Sequence, residues 1–389
     1  GLNQHLIDRA HEDEIDTIIT CDNGIAAAKE IEYGKALGMT IIVTDHHEVP
    51  YKENEAGRRY ILPPADAVVD PRQEGCEYPF KGLCGAAVAY KLVEALCEAN
   101  GQDVADLDYL LENVAIATVA DVMDLTEENR ILVKQGLEML KRTSNLGLRA
   151  LIQCIGLEGK KIQAYHIGFI LAPCLNASGK LDTAKRALAL LRAKTEREAD
   201  MLAGDLKALN DSRKDMTAQA VEEAFVQVEN SELKDADVLV VYLPECHESI
   251  AGIIAGRIRE HYSRPTLVLT KAETGVKGSG RSIEAYDMYT ELNRCRNLFT
   301  KFGGHKMAAG VSLPEENVEI LRKRLNENCI LSWEDMAERI HIDMKLPFAY
   351  INEKLIQEIS LLEPFGKGNT KPLFAQKDLY IKGIRVLGT

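Results

Sequence analysis

The sequence predicts an α/β protein with a parallel-sheet domain, a long connecting helix, a second and smaller α/β domain, and a C-terminal segment that opens a β-structure. Three observations carry this expectation. Short β-branched runs alternate with a helical stretch over residues 15–71. A charged tract rich in Ala, Leu, Lys and Glu, almost free of Gly and Pro after Gly204, fills residues 195–229. A new strand–helix–strand rhythm then begins at "VLVVYL", after "NSELKDAD".

Taken in order, "IDTIIT" (15–20) is an apolar, β-branched run that predicts a strand. "AAAKEIEYGKALG" has helical composition and ends in Gly38, where a helix C-cap belongs. "MTIIV" predicts a second strand and "ADAVVDP" (65–71) a third. Strands apolar throughout are those of a parallel sheet covered on both faces. "YLLENVAIATVADVMDL" (109–125) is apolar almost all round and predicts a buried helix. Residues 195–229 predict one long helix. Beyond it come the strand "VLVVYL", the helix "SIAGIIAGRIREHY" and, after Pro265, the strand "TLVLT". "DLYIKGIRV" alternates as a half-buried strand would.

A chain of 389 residues, 46% hydrophobic, is long enough for more than one core. Nine cysteines include no Cys-x-x-Cys pair, which argues for reduced thiols in a cytoplasmic protein rather than a zinc knuckle or a disulfide framework. No apolar run approaches the ~20 residues that span a bilayer, so no membrane role is expected. The net charge of −13 argues against indiscriminate nucleic-acid binding. Charge is uneven, however: Ala251 to Gly310 holds ten Lys/Arg against five Asp/Glu, a local balance of +5.

Ligands of parallel α/β sheets sit beyond the carboxyl ends of the strands. Asp22 follows the first strand, and Asp45, His46 and His47 follow the second, so all four are expected on one edge. Asp22 before Asn23-Gly24 also fits an Asx-turn, and the residues alone leave both roles open. Two adjacent imidazoles beside an acid fit a metal ligand and its supporting shell. The end of the buried helix adds Asp121 and Asp124. Carboxylates with imidazole and no thiolate suit Mn²⁺ or Mg²⁺ better than structural zinc. Two such ions about 3.5–4 Å apart are a device for hydrolysing phosphate esters.

In the second half, "KGSGRS" sets Ser279 and Arg281 on a segment expected to be Gly-flexed and suited to phosphate oxygens. "FGGHKMAAG" puts His305 after Gly303 and Gly304, which let backbone N–H groups approach an anion. His247 precedes "ESIAGIIAGR"; a lone His there is more often a helix cap or a surface residue, and it is the weakest of the three.

"CDNGI", "TDHH" and "ATVADVMDL" resemble, in order and spacing, the second to fourth motifs of the DHH phosphoesterases. "LCGAAVAYKL", "LAPCLNASGKLDTA", "CHESIAGIIAGRI", "KGSGRSI", "FGGHKMAAG" and "LLEPFGKGNTKPLF" resemble one branch, the bacterial RecJ single-strand-specific exonucleases. The match runs over nearly the whole chain. The resemblance implies metal roles for Asp22, His46 and Asp121, an orienting role for Asp45, and a phosphate-facing role for His47. It makes His305 a further member of the catalytic set. Phosphate or nucleic-acid contacts fall to Lys180, Ser279, Arg281, Gly303, Gly304 and His247. It implies residues 1–194 as a DHH domain, 195–232 as the connecting helix, 233–335 as a DHH-associated nucleic-acid-binding domain, and 336–389 as the start of an OB-fold. The implied activity is 5′-to-3′ hydrolysis of single-stranded DNA with Mn²⁺ or Mg²⁺, two ions in the intact protein. It serves recombination and repair, with a helicase or single-strand-binding protein as partners. The substrate strand is expected in a cleft between the metal edge and the cationic surface.

Two departures stand against the pattern. The family's first motif, Asp-x-Asp, has no counterpart before "GLNQHLIDRA", so the chain is expected to start just past it and to be impaired in catalysis. It is also expected to stop one or two strands into the OB-fold. Lys180 stands where RecJ proteins usually carry Arg. The alternatives are a DHH phosphodiesterase acting on short oligonucleotides or nucleotide bisphosphates, and a non-catalytic nucleic-acid-binding relative.

Overall fold

The computed structural model describes residues 1–54, 57–176, 181–337 and 340–386. They fall into two compact units, one holding Gly1–Asn176, Asp182–Lys207 and the chain from Ile342 onward, the other holding Ala208–His341. Lys180 lies outside the described residues.

The first unit is built on a three-stranded parallel sheet of β1 (Thr17–Ile19), β2 (Thr40–Thr44) and β5 (Ala67–Val69), in the order β1-β2-β5. Between β2 and β5 lies a solvent-facing hairpin, β3 (Tyr51–Asn54) with β4 (Gly57–Tyr60). Helix α1 (Gln4–Glu12) starts where the Asn3 side chain accepts a bond from the Leu6 N–H. Helix α2 (Ala28–Ala36) ends as the sequence predicts, with Gly38 at φ +83 beyond its last turn. Ile7, Ile31, Ile41 and Val43 close the core between these helices and the sheet. The expected two-sided burial holds for β2 only. β1 is an edge strand among the described residues, and Ile19 is 60% exposed.

Helices α3 (Gly85–Ala99), α4 (Leu111–Ala120) and α5 (Glu127–Leu140) complete the scaffold of the sheet edge. α4 packs closely on α5 because Gly136 has no side chain: a Cβ there would meet the Leu111 carbonyl oxygen and lie 2.5 Å from the Ala115 Cβ. The helix expected over 109–125 is shorter than its apolar pattern. The Asp121 N–H still bonds the Ala117 carbonyl, but Val122 turns to φ +56 and ends the helix. Residues 104–110 form a separate, tighter turn before it.

"LLEPFGKGN" docks onto the loop after α4. The Leu125 N–H bonds the Lys367 carbonyl at 2.7 Å, Arg130 donates to the Leu361 and Glu363 carbonyls, and Lys367 lies 3.3 Å from Asp124. The strands β11 (Met344–Lys345) and β12 (Phe374–Ala375) pair in parallel near the C-terminal end. The strand expected at "DLYIKGIRV" is not formed. Residues 379–386 have no ladder partner among the described residues, and Tyr380, Ile381, Ile384 and Val386 face solvent. Alternation alone cannot hold a strand without a neighbour.

Helix α6 (Glu196–Glu229) begins in the first unit and continues into the second, as the Gly- and Pro-poor composition predicts. The second unit carries a five-stranded sheet in the order β6-β7-β8-β10-β9: β6 (Leu239–Tyr242), β7 (Thr266–Lys271), β8 (Val276–Arg281), β9 (Lys301–His305) and β10 (Ala308–Leu313). β6 and β7 are parallel and the remaining pairs antiparallel. Helix α7 (Ala251–Tyr262) covers β7 and β8. "KGSGRS" is therefore a strand for most of its length rather than a flexed loop. Its glycines serve packing, since a Cβ on Gly278 would lie 2.7 Å from the Val268 carbonyl oxygen. Among the described residues all nine cysteines are free, and no helix is long and apolar enough to cross a membrane.

Candidate metal centre and nucleic-acid interface

The sheet edge gathers the acids and imidazoles because parallel strands end together. The Asp22 N–H bonds the Thr44 carbonyl at 3.1 Å and the Asp45 N–H bonds the Val69 carbonyl at 3.1 Å, which fixes the three strand ends in register. Asp22 sits at φ +63, in the left-handed region, and its Oδ1 lies 2.9 Å from His46 Nε2. Asp22, Asp45, His46 and His47 each place one donor atom within 4.8 Å of the others.

Within this group the roles differ. Asp45 is buried and its oxygens are spent on protein: Oδ1 accepts from the His46 N–H (2.8 Å) and His47 Nδ1 (2.7 Å), and Oδ2 from the Ile25 N–H (3.0 Å). Burial works against the Asp45 carboxylate, but the His47, Ile25 and His46 bonds outweigh it and hold its pKa below the ordinary value. The bond from Asp45 raises the pKa of His47, against a smaller opposing effect of burial. His47 keeps 60% of its side chain exposed, which leaves Nε2 facing outward.

His46 is the opposite case. Its side chain is 7% exposed, and Nε2 lies 2.9 Å from Asp22 Oδ1 and 3.5 Å from Asp121 Oδ2. Neither contact has hydrogen-bond geometry, so both ring nitrogens are buried without a partner. A desolvated imidazole pointing its nitrogen between two half-exposed carboxylates costs stability as protein alone. It is a coherent donor set for a divalent cation. Asp22, His46 and Asp121 fit such a cation; Asp124 turns instead to Lys367.

Two residues with no assigned role in the sequence reading shape this site. Gly85, the first residue of α3, lies against Asp22, so that a Cβ there would be 2.5 Å from Asp22 Oδ1 and 2.6 Å from its Cα. Asp70, just beyond β5, is 3% exposed; burial raises its pKa despite the bond from the Arg72 N–H. "LCGAAVAYKL" and "ADAVVDP" contained both residues, but only three-dimensional proximity distinguishes them from an ordinary helix start and strand end.

In the second unit, strand register sorts the predicted residues onto one face. Arg281, Ala308 and His305 form one cross-strand row, Ser279, Gly310 and Gly303 the next, and Lys277, Ser312 and Lys301 a third. A cavity of about 480 Å³ lies over the last two rows, bounded also by Glu248, Thr270 and Phe302. Its floor is bare backbone: a Cβ at Gly303 or Gly310 would meet nothing within 4 Å. Gly304 points into the sheet instead, where a Cβ would be 2.6 Å from the Ala309 Cα. Arg281 donates to Ser279 Oγ at 3.0 Å and to the Gly280 carbonyl at 2.8 Å; burial, and then Arg259, lower its pKa. His305 is exposed, and its Nδ1 accepts from the Met307 N–H. His247 caps a short turn, with Nδ1 2.7 Å from Ser249 Oγ. Lys277 and Lys301 were the residues of this face that sequence reasoning left unassigned, because their alignment is a product of register.

A three-stranded parallel edge bearing Asp and Asp-His-His, followed in the chain by a second α/β unit, defines a protein of the DHH class. The DHH family N-terminal domain matches residues 2–118 and the DHHA1 domain residues 235–330. Within that class the chain belongs to the RecJ family, whose OB domain matches residues 342–389. It is 38% identical to the single-stranded-DNA-specific exonuclease RecJ of Bacillus subtilis over all of this chain and 48% of that protein. It is 35% identical to the Escherichia coli RecJ exonuclease over 96% of this chain and 67% of that protein. The chain thus spans between about half and two thirds of these relatives. Among solved structures, RecJ in complex with Mn²⁺ from Thermus thermophilus superposes with a TM-score of 0.80 at 29% identity, covering 96% of this chain and 54% of that one. An exonuclease RecJ bound to manganese matches with a TM-score of 0.68 at 31% identity, over 84% of this chain and 78% of that one.

Proposed function

We propose that this protein hydrolyses phosphodiester bonds of single-stranded DNA from the 5′ end, using Mn²⁺ or Mg²⁺. The observation that carries the reading is the buried His46 ring, unpartnered at Nε2 and flanked by Asp22 and Asp121. Relatives named single-stranded-DNA-specific exonucleases and manganese-bound RecJ structures support the substrate and the metal. Polarity rests on family resemblance alone.

Asp22, His46 and Asp121 would hold a divalent cation, which supplies phosphoryl polarisation and a more acidic bound water. A second ion, held with the help of an Asp-x-Asp segment, belongs to the same proposal. Asp45 keeps the His47 ring fixed at Nδ1 and raises its proton affinity, so that Nε2–H is available to a phosphate oxygen. On the second unit, the glycine floor admits a phosphate close to backbone, and Arg281, held by Ser279, offers a planar fork. The cationic row of Lys277 and Lys301 adds sequence-independent attraction.

The test is nucleotide release from 5′-phosphorylated single strands and duplex with Mn²⁺. It compares this chain with the same chain extended by the Asp-x-Asp strand of a RecJ relative. In the extended protein the reading expects Mn²⁺-dependent release from single strands and none from duplex. Inactivity of the extended protein with DNA binding intact would favour a non-catalytic binding relative.

A further inference from the structure

The metal-ligating role of Nε2 requires the neutral His46 ring to carry its proton on Nδ1, and Nδ1 is buried with no hydrogen-bond partner. A buried donor left unpaired costs stability. Two other atoms near the ends of β2 and β5 share its condition. Asp70 Oδ2 is a buried acceptor without a donor, and Arg72 Nε is a buried donor without an acceptor. The remaining groups are engaged: Asp70 Oδ1 accepts the Arg72 backbone N–H at 2.8 Å, and the Arg72 guanidinium pairs through Nη1 with Glu48.

Topology brings these atoms together. β2 and β5 are parallel neighbours with Thr44 opposite Val69, so His46 lies two residues and Asp70 one residue past the same rung. The charges of Asp45, His46 and Arg72 are close enough to act on the Asp70 carboxylate. One carboxylate oxygen has two lone pairs. A single acceptor therefore matches two donors.

We infer that Asp70 is the positioning residue of the metal centre: its Oδ2, unpaired in this structure, is the acceptor that a small side-chain adjustment brings to His46 Nδ1–H and Arg72 Nε–H, which would fix the His46 tautomer and ring plane so that Nε2 faces the cation. This rests on the proposed metal role of His46, and it adds a carboxylate–histidine–metal relay to that role. Asp70 touches neither substrate nor cation in this account. It explains a buried carboxylate at a strand end whose burial the Arg72 N–H bond offsets only in part.

The test begins without metal or DNA, so its failure is distinguishable from failure of the nuclease reading. In ¹⁵N-histidine-labelled protein at pH 8, His46 is expected as the Nδ1–H tautomer. Asp70→Asn, which keeps an acceptor oxygen, should retain that tautomer, whereas Asp70→Leu should lose it. Mn²⁺ affinity, followed by electron paramagnetic resonance of free Mn²⁺ in the Asp-x-Asp-extended protein, should fall about 10–100-fold in Asp70→Leu and much less in Asp70→Asn. An Nε2–H tautomer in the wild type would overturn the inference, and that reading needs no variant to fold. Unchanged tautomer and affinity in a folded Asp70→Leu protein would overturn it equally.

Discussion

The sheet edge of the first unit and the open face of the second carry comparable chemical groups on opposite terms. At the sheet edge every position is constrained: Asp45 spends both oxygens on protein, Asp22 is held at φ +63, and Gly85 lies against it. On the open face Gly303 and Gly310 border free space, and Lys277 and Lys301 are exposed or lightly paired. Holding a cation requires donors placed to a few tenths of an ångström, whereas attracting a polyanion requires only charge and close backbone approach. Substitutions should therefore act steeply at the first and gradually at the second.

The steepest effect is expected at His46. In the Asp-x-Asp-extended protein, His46→Ala should lower nucleotide release by ~100-fold or more, because it removes a donor from the cation itself. Gly85→Ala should come next. Its methyl group collides with Asp22, so Mn²⁺ affinity is expected to fall ~10-fold, with a stability loss of about 1–3 kcal/mol in denaturant titrations. Equal metal affinity in Gly85→Ala would show the edge to be more forgiving than its geometry.

The second unit offers its own internal contrast. Gly278→Ala drives a methyl into Leu269 and the Val268 carbonyl and should cost about 1–3 kcal/mol, while Gly303→Ala meets nothing and should stay within about 0.5 kcal/mol. DNA affinity should show the reverse order, falling in Gly303→Ala where backbone approach is used. Arg281→Ala should weaken single-strand binding and reduce the slope of log affinity against log salt by about one, whereas Arg281→Lys should lower affinity with the slope nearly kept.

The smallest effect is a pH effect. His47 is raised above 6.5 chiefly by its bond to Asp45, and Asp45 is lowered below 3.8 by that bond together with the Ile25, His46 and His47 backbone N–H groups. The histidine's contribution to stability is complete below pH 6.5 and lost as pH rises through its folded pKa. The aspartate's is complete above pH 3.8 and lost as pH falls through its own. The pair is thus worth most between these two values. In the metal-free protein, NMR titration of His47 should give a midpoint above 6.5 that drops in Asp45→Asn.

The contrast also marks what could be read from sequence. Strand ends rich in Asp and His were legible because a parallel sheet delivers its carboxyl ends to one edge whatever its packing details. Gly85 and Asp70 were not, since their importance lies in what approaches them across the fold. The apolar pattern over 109–125 outran the helix: Leu125 is apolar because it packs in the core, whereas Val122, at φ +56, ends the helix and faces solvent. "KGSGRS" read as a loop because its glycines suggested freedom, when they are gaps for the neighbouring strand. Lys277 and Lys301 emerged only once the register between β8, β10 and β9 was fixed.

The central claim is that Asp22, His46 and Asp121 hold a divalent cation. Its most direct test is anomalous diffraction from crystals of the Asp-x-Asp-extended protein grown with MnCl₂. The account predicts a manganese peak about 2.0–2.3 Å from His46 Nε2 and from a carboxylate oxygen of both Asp22 and Asp121. Manganese bound only elsewhere, or no peak at the sheet edge at millimolar metal, would contradict it.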